Sequence, residues 1–324
     1  MFKKFFSLLF ICITFTTFLK AQDAEYSQFY ANPLYLNPAM AGTTPAPRFI
    51  LNYRNQYPGI NKAFEQYSAS FDQDVPKLKG GIGVLINSDN LASGAWRTVS
   101  ASGIYSYLLE VSDGVTIKAG LRAGYVQKTL NTQNLIFKVN EVFGTPEPSG
   151  ESSGITFGSK GYGDFGAGFL IFSEYLYAGV SGDHLTQPDV SFSGSNNVSV
   201  LPLKITAHGG ASIPVNDGSL FISPNVLYQK QGDFNQLNSG LYISKGPIVL
   251  GGWYRYAFEN GDALIGMIGV KIGTMKIGYS YDYTTSALRG SDANAHEFSL
   301  TFGLMQSEKG NPAAKYRILN CPSF

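Results

Sequence analysis

The stretch Val115-Thr116-Ile117-Lys118-Ala119-Gly120-Leu121-Arg122-Ala123-Gly124-Tyr125 puts an apolar side chain at every odd position and Thr, Lys, Gly or Arg at every even one. A period of two is the signature of a β-strand, whose successive side chains point to opposite faces. Alternation alone does not say which face is outside. In a bilayer the choice is forced, because a Lys or Arg turned to hydrocarbon costs roughly 2–4 kcal/mol at the midplane and the face with Lys118 and Arg122 must look inward. A water-soluble sandwich would hide the other face.

The same pattern recurs along the chain. Leu203, Ile205, Ala207, Gly209, Ala211 and Ile213 alternate with Lys204, Thr206, His208, Gly210 and Ser212, and Ile277, Tyr279, Tyr281 and Tyr283 with Lys276, Gly278, Ser280 and Asp282. Composition agrees with lipid-facing strands. Charged residues make up 15% of the 324, while there are 37 Gly, 20 Tyr and 23 Phe; soluble domains carry about 25% charged residues. A mean hydropathy near zero excludes a bundle of membrane helices. With a net charge of +1 and no basic run, nothing invites nucleic acid.

Two further features favour a transmembrane outer-membrane β-barrel over a sandwich. Candidate strands such as Trp96 to Leu109 and Val115 to Gln127 reach or exceed the roughly 9–11 residues of a tilted membrane strand. Connections also segregate by length, with short turns such as Gly246 and Gly273 on one side and long loops at Thr129 to Lys160 and His184 to Pro202 on the other. The reading is an all-β antiparallel barrel of about fourteen strands over residues 47–304, both ends of it periplasmic. Pro224, inside a candidate strand, removes a ladder hydrogen bond and suggests a bulge.

Lys3 and Lys4 followed by the apolar run Phe5 to Leu19, with Ala21 as a cleavage residue, read as a secretory signal peptide over 1–21. No run of 18 apolar residues follows, and the remaining thiol, Cys321, allows no disulfide framework. Residues 305–324 read as a periplasmic tail.

Between leader and barrel, residues 22–46 have no strand or helix period. Glu-Tyr-Ser-Gln-Phe-Tyr-Ala-Asn-Pro-Leu-Tyr-Leu-Asn-Pro-Ala-Met-Ala-Gly, from Glu25 to Gly42, is nevertheless apolar and aromatic, and its two Asn-Pro pairs resist helical geometry before each proline. A segment that is irregular yet apolar is expected to pack into something preformed, as a plug or clamp. Together with Arg54-Asn55-Gln56-Tyr57, Ser70-Phe71-Asp72, the strand start Gly80-Gly81-Ile82-Gly83 and the closing hairpin Tyr279 to Phe302, this opening resembles the PorP/SprF family of type IX secretion system outer-membrane proteins. The resemblance implies a non-enzymatic barrel supporting secretion or surface attachment of cargo with a C-terminal sorting domain, linked to periplasmic components and, in some relatives, to gliding. It makes the irregular N-terminal periplasmic segment a candidate contact for periplasmic partners, through Tyr26, Phe29, Tyr30, Asn32, Pro33, Asn37, Pro38 and Gly42, and the long loops candidate contacts for cargo. Two other classes remain: a diffusion channel or hydrophobic-substrate transporter gated by its N-terminal segment, and a secreted soluble β protein such as an adhesin.

No catalytic, cofactor or metal site is expected. His184, His208 and His296 share no ligand spacing and no Gly-x-Ser-x-Gly elbow occurs. Gly166-x-Gly168 lies in a strand pattern with no helix after it, as small lumen-facing or bend positions do. Asp72 and Asp74 suit a cation or a solvated strand end. Parity sends Arg54, Lys118, Arg122, Lys204, Arg255 and Lys276 into the lumen, with Asp164, Asp282 and Glu297 as acidic counterparts. Such a set either favours anions or an acidic peptide, or pairs across the lumen and holds a plug. The tyrosines, Tyr105, Tyr107, Tyr175, Tyr177, Tyr254, Tyr256 and Tyr279 among them, read as interfacial girdles facing outer-membrane lipid, with a carbohydrate platform as the alternative.

Overall fold

Period-two segments separated by Gly, Asn and Asp leave the chain one way to pair its backbone, as consecutive hairpins. The computed structural model describes residues 23–304 except 45, 61–62, 113, 132–157, 193–198, 259–262 and 286–293. The expected leader, the C-terminal tail and most of the loop after Thr129 lie outside the described residues.

The strands are β1 (Arg48–Gln56), β2 (Phe64–Val75), β3 (Gly80–Leu91), β4 (Trp96–Ser112), β5 (Val115–Leu130), β6 (Gly158–Phe172) and β7 (Leu176–Asp183). They continue as β8, in two pieces (Lys204–Ala211 and Ile213–Val215), β9 (Leu220–Gln231), β10 (Phe234–Lys245), β11 (Ile248–Ala257), β12 (Ala263–Ile272), β13 (Met275–Thr284) and β14 (Ala295–Gly303). Each pairs antiparallel with its neighbours in sequence, and β14 pairs with β1 in the register Tyr53↔Phe298 and Arg54↔Glu297, which closes the ring. The result is the expected fourteen-stranded barrel without a free edge.

The faces fall as lipid requires. Leu121 and Tyr125 are 64% and 59% exposed, whereas Lys118, of the opposite parity, is fully buried. Outward aromatics stack across strands, as in Phe49 with Phe71 and Tyr279 with Phe298. Tyr177 departs from the girdle reading: it points inward, is buried, and meets Tyr30 edge to face.

Short turns, such as those at Gly246 (φ +56°) and Gly273 (φ +61°), gather at one end with the start of β1 and the end of β14. We call this the turn end. The loop end is less uniform than expected, since residues 92–95 and 232–233 are also tight there. Pro224 produces no bulge. Both pieces of β8 keep one register against β9, with Asn225↔Gly210 on one side of Pro224 and Ile222↔Ile213 on the other, so the missing N–H merely interrupts the ladder. The register shift falls instead in the β4–β5 hairpin, between Glu110 and Ser112.

Candidate functional site

Residues 23–43 run through the lumen. The amide of Asp23 donates to Gln231 Oε1 at the loop end of β9, whereas the amide of Gly42 donates to Asp72 Oδ2 toward the turn end of β2. The chain therefore traverses its own barrel from loop end to turn end before entering β1. Nearly every side chain from Tyr26 to Gly42 is buried. This corrects the expectation of a periplasmic segment. Tyr26, Phe29, Tyr30, Asn32, Pro33, Asn37, Pro38 and Gly42 offer no surface to a periplasmic partner here, because all eight are buried inside the barrel.

Local sequence explains the path. Pro33 and Pro38, with φ already set for a helix, each open a short turn, Pro33–Leu36 and Pro38–Met40. Asn32 (φ −128°, ψ 63°) and Asn37 (φ −158°, ψ 122°) stay outside the helical region, as residues before proline do. Asn37 Oδ1 then caps the second turn by accepting from Ala39 N at 2.9 Å. Leu36 and Met40 of these turns, with Phe29 and Tyr30 of a preceding short turn, Phe29–Ala31, pack against Tyr177, Leu227, Tyr242, Trp253 and Met267 of the wall. Each such side chain contributes roughly 1.5–3 kcal/mol relative to water.

Polar contacts fix the register of segment against wall. Ser27 lies among four charges. Its hydroxyl donates to Asp282 Oδ2 (2.5 Å) and accepts from Arg54 (2.7 Å) and Arg255 (2.6 Å), which uses both its donor and acceptor capacity. Its amide and that of Gln28 donate to the two oxygens of Glu297, at 2.7 and 3.1 Å. Arg54 also donates to Asp282 (2.9 Å) and Glu297 (3.2 Å), and Arg255 to Asp282 (3.1 Å), so two guanidiniums meet two carboxylates around one serine. Midway, Asn37 Nδ2 donates to the carbonyl of Phe169 (3.1 Å) and lies 3.1 Å from His208 Nε2. Toward the turn end Lys118 Nζ donates to the carbonyls of Ala41 (2.5 Å) and Gly42 (3.1 Å), and Arg48 forks onto Asp72 at 2.6 and 3.1 Å. Asp72 is thus a buried ion-pair partner rather than a solvated strand end. Lys276 lies half-buried on the inward face near the turn end.

At the loop end the lumen widens into a cavity of about 690 Å³, floored by Asp23, Glu25 and Tyr35 and walled by Asp89, Arg122, Lys128, Asp164, His184 and Lys204 among others. Arg122 pairs with Asp183. Arg48, Arg54, Arg122, Lys204 and Arg255 thus each have a carboxylate partner, which offsets much of the positive excess read from sequence, while Lys118 is met by backbone carbonyls. The histidine after β7, His184, lies between Asp23 (2.7 Å) and Asp164 (2.8 Å), with Lys204 3.8 Å from Asp23. Burial disfavours a charged ring, but the two carboxylates outweigh it and raise the His184 pKa to about 9. Burial likewise opposes ionisation of Asp23, yet His184 and Lys204 hold its carboxyl well below the usual range. Because the folded pKa of His184 exceeds the unfolded one, its contribution is complete below about pH 6.5 and is lost as pH rises through about 9. Detergent-solubilised wild type should accordingly melt above His184→Gln at pH 6 and converge with it by pH 10. A gap that stays constant over that range would refute the assignment.

Sequence reading did not anticipate Ser27, Gln28, the Arg48–Asp72 pair, or the glycines on which the segment rests. A Cβ on Gly81 would lie 2.3 Å from Ala41 O, and one on Gly120 2.3 Å from Ala39 N. The signal was present as inward-facing glycines at positions where barrels hold larger side chains. Among the described residues no group of three or more His, Cys, Asp or Glu could hold a metal ion.

Set against known proteins, residues 18–302 match the profile of the family described as "Type IX secretion system membrane protein PorP/SprF". No curated protein matches the chain. Among solved structures the fold is similar to the CymD monoaromatic hydrocarbon channel, at 12% identity, over 85% of this chain and 93% of that one, with a TM-score of 0.51. Similarity is also found to the Acinetobacter baumannii outer membrane protein Omp33 (9% identity, 80% and 99% covered, TM-score 0.41) and to the P. putida toluene transporter TodX (10%, 84% and 93%, 0.44). At such identities the likeness is one of fold.

Proposed function

Because the chain belongs to the PorP/SprF family of type IX secretion system membrane proteins and is an outer-membrane β-barrel, we propose that it serves secretion as a sealed, non-enzymatic barrel whose two ends, not its lumen, are the working surfaces. The observation that supports this most is the segment itself. It crosses the lumen from Asp23 to Gly42 and is bonded to the wall near both ends, which leaves no bore for a folded or extended cargo. In this reading the loop end meets secreted proteins bearing a C-terminal sorting domain and supports their release or surface attachment. The tight turns at the other end meet the periplasmic part of the machine, and gliding follows where the cargo is an adhesin.

Purification of the intact barrel in mild detergent tests the reading. A sorting-domain cargo and a periplasmic component should come with it, and a deletion strain should lose that cargo from its surface. A barrel that elutes alone, from cells whose surface cargo is unchanged by the deletion, overturns the proposal.

One observation favours a second reading, a diffusion channel gated by its N-terminal segment: the segment occupies the position a gate would take. The outer cavity is lined by aspartates, lysines and arginines together with Phe64, Leu85, Leu91, Trp96, Val126 and Phe234, a mixed wall that selects neither a charged nor a hydrophobic solute. Stepwise conductance or uptake of a small solute by the undisturbed chain would support the channel.

A further inference from the structure

The segment does not meet the wall evenly. Phe29, Tyr30, Leu36 and Met40 press on the apolar lining contributed largely by β9 to β12, and the opposite wall, β1 to β3, is polar apart from Ile50 and Leu85, the latter packed with Leu34 and Ala41 of the segment. There the inward side chains form cross-strand rows: Arg54–Gln66–Asp89 nearest the outer cavity, then Asn52–Ser68–Asn87, then Ile50–Ser70–Leu85, and finally Arg48–Asp72–Gly83. Gln66, Asn87 and Asp89 open onto the cavity.

This wall carries a continuous run of unpaired oxygens. Asn52 Oδ1, Gln66 Oε1, Ser68 Oγ, Ser70 Oγ, Asn87 Oδ1 and Asp89 Oδ1 have no hydrogen-bond partner in the protein, and neither amide atom of Asn32 on the facing segment has one. Asn32, Asn52, Gln66, Ser68 and Ser70 are each more than nine-tenths buried. Native proteins seldom leave such groups unmet, because each costs about 1–3 kcal/mol, and ordered water or an ion usually satisfies them. Neutral oxygens with Asp89 at the mouth suit a weakly held hard cation in its water shell, and Arg54, in the same row, is held by Asp282 and Glu297.

We propose that this seam takes water and hydrated monovalent cations from the cell-surface side, and that the Arg48–Asp72 clamp is the gate closing its periplasmic end. The clamp lies directly below Ser70 and ties three things together: Arg48 and Asp72 to each other, Asp72 to the Gly42 amide, and Arg48 to the Met40 carbonyl at 3.3 Å. Opening it joins seam to periplasm without moving the apolar half of the segment. The inference concerns ions alone and does not rest on the secretion role.

The test uses the purified full-length chain in planar bilayers, with sodium chloride as the probe. A lone Arg48 would repel cations, so both members of the clamp are neutralised together, as Arg48→Gln with Asp72→Asn. Wild type should stay silent. The clamp variant should show steps much smaller than those of a chain lacking residues 23–42, with sodium preferred over chloride. Adding Ser70→Leu should abolish the steps, and adding Asp89→Asn should remove the preference. A heat-modifiable, hence folded, clamp variant that is silent overturns the proposal. So do steps as large as those of the deleted chain that survive Ser70→Leu, which would mean the whole segment had left, and so does a preference for chloride.

Discussion

Deleting residues 23–42 should turn a silent barrel into a wide pore, with stepwise conductance in planar bilayers and sensitivity of the cells to large antibiotics that the outer membrane normally excludes. The wall has the strands to stand alone, since β14 closes onto β1 through its own ladder and the segment contributes none of those bonds. What is lost is the filling. Fourteen strands enclose more space than their own side chains occupy here, and the inward set of Arg, Lys, Asp and Glu would be solvated once the segment is gone. Charges that are buried and paired in the intact chain, Arg54 with Asp282 and Glu297 above all, then face water, where their pairing matters little. Secretion and sealing separate in this experiment. A deleted chain that conducts and still carries cargo to the surface confines the segment to sealing, and one that conducts and loses cargo ties it to both. A folded deletion chain that remains silent would show that something other than the segment blocks the lumen, and the reading of the segment as the seal would fail.

The fold was legible because its physics is local. Alternation between Val115 and Tyr125, with Lys118 and Arg122 on one face, is a property of eleven adjacent residues, and lipid permits only one orientation of it. Loop segregation and the even strand number follow from the same reading. The placement of the opening segment was not legible, because its partners are remote in sequence. Ser27 is bonded to Asp282 and Glu297, 255 and 270 residues away, and no periodicity links them. Apolarity without period marked the segment as something that packs, but the cavity it packs into exists only once the ring has closed. Pro224 shows the limit from the other side: a rule about one residue suggested a bulge, and the neighbouring register simply ran past it.

Gly120 offers the sharpest single-residue test of how the segment is seated. It faces inward between Lys118 and Arg122, and a Cβ built there would lie 2.3 Å from Ala39 N, 2.4 Å from Pro38 C and 2.6 Å from Ala39 Cα. All three are backbone atoms of a turn held by proline and capped by Asn37, so no side chain can rotate away to make room. Overpacking a core costs roughly 1–3 kcal/mol when side chains yield, and contact with rigid backbone lies at or above the top of that range. At about tenfold per 1.4 kcal/mol, occupancy of the seated state would fall on the order of a hundredfold. Gly120→Val should therefore lift the segment off the wall, break the Lys118 bonds to Ala41 and Gly42, and leak much as the deleted chain does while the barrel stays folded. Gly103→Val is the matched control. Gly103 faces outward and a Cβ there meets nothing within 4 Å, so the same substitution adds lipid contact and leaves the lumen closed. Should Gly120→Val remain sealed, with the segment protected from protease as in wild type, the close approach of Pro38 and Ala39 to β5 cannot be what seats the plug.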